Sequence, residues 1–207
     1  MDPIAAFILT GGQSRRMGTD KARLTLHGQS FVERVAAELS AVAPSVTIVG
    51  HNSSSTQVGV DLPTVSDVYP DWGALGGVHA ALSACFADWA LIVACDFPFV
   101  TRELFARLNS IREGFDAVAP IQSDGIPQPL CALYRVDPCL GRAEQLIKSG
   151  ERKPIALLQS VETRWVSFAE VSDLQGADSF FDNINTPEDY ARVGEKGRFS
   201  IDDVAMR

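Results

Sequence analysis

The residues best suited to chemistry follow a short apolar run near the start of the chain. Residues 4–9 are all apolar, and Thr10, Gly11 and Gly12 come directly after them. Glycines allow a sharp turn and let an anionic ligand approach the main-chain N–H groups. The same loop then carries cations, with Arg16 and Lys21 among them. Because a triphosphate requires backbone donors together with arginine and lysine, we interpret this segment as a phosphate-binding loop. The alternative is a surface turn with solvated charges.

A second candidate, Asp96, comes directly after the apolar run at residues 89–95. An aspartate after a strand is usually a turn or capping residue. This run, however, is typical of a strand that is buried on both faces, so Asp96 should lie at the sheet edge that also carries the opening loop. A carboxylate there could hold Mg²⁺, which binds through one or two carboxylates together with substrate phosphates. The residue pattern alone leaves both interpretations open.

A third candidate is the glycine-rich stretch at residues 67–77, which begins with Asp67 and ends with Gly76 and Gly77. A helix should start here, with Leu75, Val78, Leu82 and Cys85 or Phe86 on its apolar face. Each glycine in a helix costs about 1 kcal/mol relative to alanine, so something must approach closely. It is either a neighbouring strand or a ligand at the helix amino terminus.

The elements around these candidates define the fold class. Apolar residues at helical spacing predict a helix over residues 29–42, and the apolar run at 46–50 predicts a second buried strand. A further helix is predicted to begin after Thr101, which would be its N-cap, and another is predicted over residues 140–150. Further strands are predicted at 116–120, 129–134 and 163–168. A strand, loop, helix and strand in this order predict an α/β fold: a three-layer sandwich around a mostly parallel sheet, similar to Rossmann folds.

Composition limits the remaining possibilities. The chain has 207 residues, of which 46% are hydrophobic and 21% charged, as in one globular domain. We expect this domain to span residues 1–194, with a polar tail at 195–207. The net charge of −8 argues against nucleic acid or an anionic membrane as the main partner. No apolar run approaches the ~20 residues of a membrane span, and the start of the chain lacks the basic residues of a signal peptide. We therefore expect a cytoplasmic protein.

The cysteines and histidines provide no obvious metal or disulfide site. The chain has 4 cysteines and 3 histidines, and no two cysteines have the C-x-x-C spacing. Zinc or a disulfide framework is therefore not expected. Cys95 is expected to be a reduced core thiol even though it precedes Asp96.

The opening loop resembles the nucleotidyltransferase signature L-x-G-G-x-S-x-R-M-G-x-D-K. The matching residues are Leu9, Gly11, Gly12, Ser14, Arg16, Met17, Gly18, Asp20 and Lys21. Within that superfamily the chain is most similar to the molybdenum cofactor guanylyltransferases. Later segments resemble this family in the same order: a G-P-L-x-G segment in which Ala74 replaces the proline, then C-D-x-P, Q-P-L-x-A-L-Y and N-x-N-T-P-E.

The resemblance implies transfer of GMP from Mg²⁺·GTP to the phosphate of molybdopterin, with release of pyrophosphate. Molybdoenzymes or cofactor-insertion proteins would be the downstream partners. The resemblance assigns Arg16, Lys21 and Asp96 to catalysis, with Asp96 as the Mg²⁺ ligand. The resemblance also assigns a set of residues to nucleotide binding: Leu9, Thr10, Gly11, Gly12, Lys21, Asp67 and Asp96. The acceptor phosphate is largely dianionic at neutral pH and needs no general base, which agrees with motifs that contain no histidine.

The acceptor should bind the C-terminal half, because the nucleotide occupies the motifs of the N-terminal half. The C-terminal half offers the cationic pair Arg152 and Lys153 and the polar pair Asn183 and Asn185. The alternatives are solvated charges and asparagines that cap the backbone. Two other functions remain open at this stage. One is a sister nucleotidyltransferase that uses CTP on molybdopterin or a nucleotide on a sugar phosphate, and the other is a nucleotide-binding regulator without catalysis.

Overall fold

Strands and helices are interspersed along the chain. The structure, a computed structural model, describes residues 3–10, 25–26, 28–50, 60–70 and 72–182. The strands are β1 (Ile4–Leu9), β2 (Thr25–Leu26), β3 (Gln29–Ser30), β4 (Val46–Val49), β5 (Thr64–Val65), β6 (Trp89–Ala94), β7 (Ala117–Pro120), β8 (Cys131–Arg135) and β9 (Thr163–Val166). The helices are α1 (Phe31–Ser40), α2 (Gly73–Ala84), α3 (Arg102–Ser110), α4 (Val136–Lys148) and the short α5 (Ile155–Leu158). The predicted tail at 195–207 lies outside the described residues.

Seven of the strands form one sheet in the order β5-β4-β1-β6-β8-β7-β9. Every neighbouring pair is parallel except the two that involve β8, which runs antiparallel to both β6 and β7. The strands β2 and β3 form a separate antiparallel pair. The prediction of a mostly parallel sheet is confirmed, whereas the reversed direction of β8 was not foreseen.

The core has two layers because β1 and β6 are apolar on both faces. Every residue of both strands is buried. Alternate residues of β1 point to opposite faces, as the pleat of a strand requires. Ile4, Ala6 and Ile8 belong to the cluster that includes residues of α1 and α3, while Ala5 and Phe7 belong to the cluster with residues of α2 and α4. Helices therefore cover both faces of the sheet, and the predicted three-layer sandwich is confirmed.

Local signals account for most helix boundaries, with one clear error. The helix predicted at 29–42 is α1, which begins after a capping box between Ser30 and Glu33. The helix predicted to carry Phe86 on its apolar face ends at Ala84, so Phe86 lies beyond it and is fully exposed. That part of the prediction is wrong, because helical spacing was extended past the last turn. The strand predicted to reach Phe168 stops at Val166, and a 3₁₀ turn follows.

The amino terminus of α3 is capped from another helix. Thr101 occupies the predicted capping position, but its hydroxyl is buried and forms no hydrogen bond within the described residues. Instead, the Glu38 carboxylate of α1 accepts a hydrogen bond from the Arg102 backbone N–H at 2.8 Å and another from its Nε at 3.0 Å. Burial raises the pKa of Glu38, but its bonds and charge interaction with Arg102 outweigh burial and hold the pKa below its ordinary value.

Candidate active site at the carboxyl edge of the sheet

Four neighbouring parallel strands end side by side, at what we call the carboxyl edge of the sheet. The backbone N–H of Cys95 donates to the Leu9 carbonyl at 3.1 Å, which joins the end of β6 to the end of β1. On the other side, Thr10 N donates to the Val49 carbonyl at 3.0 Å, and Gly50 N donates to Val65 O at 3.0 Å. The segments that carry Thr10, Asp67 and Asp96 therefore all leave the sheet at this edge, where open α/β sheets bind ligands.

The side chains of Leu9 and Thr10 are both engaged within the protein. Leu9 is buried, and its two methyl groups lie 3.5 and 3.6 Å from the position that a Cβ on Gly77 would take. The Thr10 hydroxyl donates to the carbonyl of Val49 at 3.1 Å. These residues therefore position the start of the opening loop by packing and by hydrogen bonding.

The glycines of the 67–77 stretch pack differently from each other. A Cβ on Gly76 would lie 3.0 Å from Trp72 Cβ and 3.2 Å from the Tyr69 carbonyl oxygen, which is too close for either atom to stay in place. A Cβ on Gly77 would be in ordinary contact with Leu9 and 4.0 Å from the Asp67 carboxylate. Packing within the protein thus explains Gly76, whereas the described residues leave room for a methyl group at Gly77.

Asp96 lies half-buried in a turn at the end of β6. Its neighbours Cys95 and Phe97 are buried, and Phe97 N donates to the Ala94 carbonyl at 3.3 Å, which closes the turn. Ala94 N in turn donates to Leu130 O at 2.8 Å, so the start of β8 holds the other side of this position. Packing and backbone hydrogen bonds therefore hold Asp96 at the carboxyl edge.

The donor set fits a magnesium ion better than a transition metal. Within the described ranges, no group of three or more histidine, cysteine, aspartate or glutamate side chains could hold a metal. Mg²⁺ does not require such a cage, because it uses one or two carboxylates, substrate phosphates and water. The carboxylate of Asp96 is a hard oxygen donor of the kind that this ion prefers.

One of the predicted acceptor residues, Arg152, lies beside the 67–77 stretch. The guanidinium carbon of Arg152 lies 4.7 Å from the centroid of the Trp72 ring, and Trp72 directly precedes α2. The main-chain N–H groups of Arg152 and Lys153 both donate to the Glu151 carboxylate at 2.8 Å. The structure therefore brings Arg152 from the C-terminal half to the carboxyl edge. The other predicted site residues, Gly11, Gly12, Arg16, Lys21, Asn183 and Asn185, lie outside the described residues.

His79, the histidine within the described residues, and the four cysteines lie mainly inside the protein. His79 of α2 is buried, lies edge-on to Tyr69 with ring centroids 4.9 Å apart, and has a pKa lowered by burial despite the nearby Glu144. Burial also raises the pKa of Cys139 to about 12. The four cysteines form no disulfide bond. Cys95 is buried, which confirms the prediction of a core thiol.

Two features of this edge were missed by the sequence analysis. One is Trp72, whose contact partner is distant in sequence. The other is the loop at residues 121–130, which connects β7 to β8 at this edge and is ordered by side-chain amides: Gln128 Nε2 donates to Gln122 Oε1 at 2.7 Å, and Gln122 Nε2 donates to Asp124 at 2.7 Å. The D-G pair at residues 124–125 is a turn signal that could have indicated this loop.

Comparison with solved structures identifies the class of protein. The Archaeoglobus fulgidus molybdopterin-guanine dinucleotide biosynthesis protein A superposes with a TM-score of 0.78 at 26% identity, over 93% of this chain and 98% of that one. The 2-C-methyl-D-erythritol 4-phosphate cytidylyltransferase from Thermus thermophilus has a TM-score of 0.69 at 17% identity, over 95% and 99% of the two chains, and so shares the fold. The fold is that of the α/β nucleotidyltransferases.

The sequence relatives narrow this class to a family. The MobA-like NTP transferase domain matches residues 6–164. The molybdenum cofactor guanylyltransferase of Vibrio cholerae is 34% identical, over 90% of this chain and 89% of its own length. A probable molybdenum cofactor guanylyltransferase of Pelotomaculum thermopropionicum is also 34% identical, with the same coverage of both chains. The chain belongs to the MobA-like NTP transferase family, and the prediction of a nucleotidyltransferase is confirmed.

None of the helices in the described part of the chain is both long enough and apolar enough to cross a bilayer. The longest of them, α4, has 13 residues.

Proposed function

We propose that this protein transfers GMP from GTP to the terminal phosphate of molybdopterin, which yields a guanine dinucleotide cofactor and pyrophosphate. The observation that carries the proposal is that Thr10, Asp67 and Asp96 follow β1, β5 and β6, three of the four neighbouring parallel strands that end at the carboxyl edge, where α2 begins. The relatives named molybdenum cofactor guanylyltransferases support GTP and molybdopterin as the substrates. The reaction would take place in the cytoplasm, and the product would pass to molybdoenzymes or cofactor-insertion proteins.

The nucleotide would lie along the opening loop. Leu9 and Thr10 place the start of this loop, and the main chain of Gly11 and Gly12 would approach the phosphates. Arg16 and Lys21 would bind the triphosphate, because charge-assisted hydrogen bonds to phosphate are about twice as strong as neutral ones. Asp67 would contact the nucleotide from the end of β5.

Asp96 would hold the magnesium ion. When bound there, Mg²⁺ supplies neutralisation of the charge that develops on the phosphate oxygens. The chain itself would bind both substrates, align them and exclude water. One acceptor oxygen would form a new bond to the α-phosphorus of GTP while the bond from that phosphorus to the leaving oxygen breaks, and both bonding electrons leave with pyrophosphate. No residue has to remove a proton, because the acceptor is already largely dianionic at pH 7.

The acceptor would bind on the other side of the reacting phosphorus. Arg152 and Lys153 would provide positive charge for its phosphate, and Asn183 and Asn185 would provide hydrogen bonds. Support for this assignment comes from the contact of Arg152 with Trp72, which brings this cation to the carboxyl edge. The negative net charge of the chain makes such local cations necessary for binding two polyanionic substrates.

A nucleotide panel tests the proposal. The purified protein is incubated with Mg²⁺, molybdopterin and either GTP, CTP or ATP, and the release of pyrophosphate is measured. We expect release with GTP, at a kcat/KM at least tenfold above that for CTP or ATP, and no release when molybdopterin is omitted. A preference for CTP would identify a sister cytidylyltransferase. In a parallel reaction a sugar phosphate replaces molybdopterin, and pyrophosphate release only in that reaction would show that the acceptor is a sugar phosphate. Nucleotide binding without pyrophosphate release would indicate a regulator.

A further inference from the structure

Trp72 makes two contacts with a segment that is far away in sequence. Its ring lies against the guanidinium of Arg152, with 4.7 Å from the guanidinium carbon to the ring centroid. Its indole N–H donates to the backbone carbonyl of Glu151 at 2.8 Å. Stacking on an aromatic face and a hydrogen bond from the same side chain fix both the position and the direction of the 151–153 segment relative to α2.

The 151–153 segment is itself held in one shape. The Glu151 carboxylate accepts hydrogen bonds from the main-chain N–H groups of both Arg152 and Lys153, each at 2.8 Å. These bonds lower the pKa of Glu151, as expected for a carboxylate that accepts two main-chain hydrogen bonds. Glu151 N also donates to the Leu146 carbonyl of α4 at 3.0 Å. The segment thus carries Arg152 on an ordered turn at the end of α4.

Trp72 is the fixed member of this pair. Its backbone N–H donates to the Tyr69 carbonyl at 3.3 Å, and its Cβ lies only 3.0 Å from where a Cβ on Gly76 would lie. Trp72 is partly buried, whereas Arg152 is exposed. The contacts of Trp72 with Tyr69 and Gly76 therefore fix the base of the tryptophan side chain, and the indole in turn lies against the arginine.

We propose that Trp72 is a positioning residue that orients Arg152 to bind the phosphate of the acceptor. This inference rests on the proposed function above. A guanidinium that lies over an aromatic ring can still bind phosphate oxygens in pairs through its N–H groups. A free arginine side chain loses rotamer freedom on binding, whereas one held on an indole has lost much of it beforehand. Trp72 acts on acceptor affinity through Arg152, and GTP affinity is not expected to depend on this pair.

Steady-state kinetics with two substitutions of Trp72 test this role. Trp72→Leu removes the aromatic face and the indole N–H, and it should raise the KM for molybdopterin about tenfold. Trp72→Phe keeps an aromatic face, and it should restore KM to within about threefold of the wild-type value. The Kd for GTP, measured by calorimetry, should stay within about twofold in both variants, because a positioning role for Arg152 does not involve the nucleotide.

Matched controls separate this role from a general loss of charge or of an aromatic pair. Arg135→Ala removes an exposed cation at the opposite edge of the sheet, where β8 ends. Trp89→Phe perturbs a second tryptophan–arginine pair, in which Arg112 lies 5.1 Å from the ring centroid of Trp89. Both variants should keep the wild-type KM for molybdopterin, whatever they do to the melting temperature.

A double-mutant cycle decides whether Trp72 acts through Arg152. In an Arg152→Ala background, Trp72→Leu should raise the KM for molybdopterin no further. Independent, multiplicative effects would overturn the inference, as would an unchanged KM in Trp72→Leu or an equal loss of GTP affinity. If Trp72→Leu does not fold, the same cycle is measured with Trp72→Phe, whose smaller rise in KM should likewise vanish in the Arg152→Ala background. Failure of the wild-type protein to release pyrophosphate would instead refute the proposed function, and the inference with it.

Discussion

Substituting alanine for Gly76 and Gly77 separates packing from ligand binding at the start of α2. For Gly77→Ala, the new methyl group would lie 3.5 and 3.6 Å from the Leu9 methyl groups, which is ordinary van der Waals contact. Replacing a glycine in a helix interior with alanine gains about 1 kcal/mol. The free energy of unfolding should therefore rise by up to about 1 kcal/mol, which raises the melting temperature by roughly 2–4 °C for a chain of this size.

The neighbouring substitution, Gly76→Ala, should have the opposite effect. Its methyl group would lie 3.0 Å from Trp72 Cβ and 3.2 Å from the Tyr69 carbonyl oxygen, and neither atom belongs to the flexible end of a side chain. Overpacking of this kind costs about 1–3 kcal/mol, of which about 1 kcal/mol is offset by the better helix propensity of alanine. The net effect should be a loss of up to about 2 kcal/mol and a melting temperature lower by roughly 5 °C.

The affinity for GTP provides a second measurement on these variants. No contact among the described residues requires a glycine at position 77. We therefore expect that the absence of a side chain there leaves space for the nucleotide. Gly77→Ala should then be more stable and yet bind GTP about tenfold more weakly. Differential scanning calorimetry and titration calorimetry on the same samples make this comparison. A stabilised Gly77→Ala with unchanged GTP affinity would show that the glycine has no role toward the ligand, and a destabilised one would refute the packing argument itself.

Three further predictions concern charge. Lys21→Ala should lose about 3 kcal/mol of transition-state stabilisation, on the order of 10²-fold in rate, with an unchanged melting temperature; near-normal turnover would rule out the phosphate-binding loop. Asp96→Asn should abolish Mg²⁺-dependent turnover in a folded protein, and a Mg²⁺ titration like that of the wild type would contradict the metal role. The pKa of Glu38 is lower in the folded state, so its stabilising contribution is present above its unfolded-state pKa of about 4.5 and is lost as the pH falls through the folded value. Glu38→Gln should accordingly weaken the acid dependence of the melting temperature, and identical acid limbs would exclude this contribution.

The strands and the candidate loops could be predicted because their signals are local. The apolar runs that became β1 and β6 are long enough to be buried on both faces, whatever packs against them. The residue that follows such a strand in an α/β fold must lie at the carboxyl edge, so Thr10 and Asp96 could be placed there in advance. Helix α1 was also predictable, because Ser30 and Glu33 form a capping box within four residues of sequence.

The direction of β8 and the contacts between residues distant in sequence could be seen only in the folded chain. An apolar run has no direction of its own, so residues 131–135 could not be recognised as the strand that runs antiparallel to both its neighbours. Glu38 caps α3 across 64 residues of sequence, and Trp72 binds the Glu151 carbonyl across 79. Sequence periodicity describes which face of an element is apolar, and it carries no information about which polar group the fold will bring to that face. Local sequence was therefore enough to predict which strand-end residues lie at the carboxyl edge. The partnership of Trp72 with Arg152 was set by the packing of α2 against α4, which is a property of the whole fold.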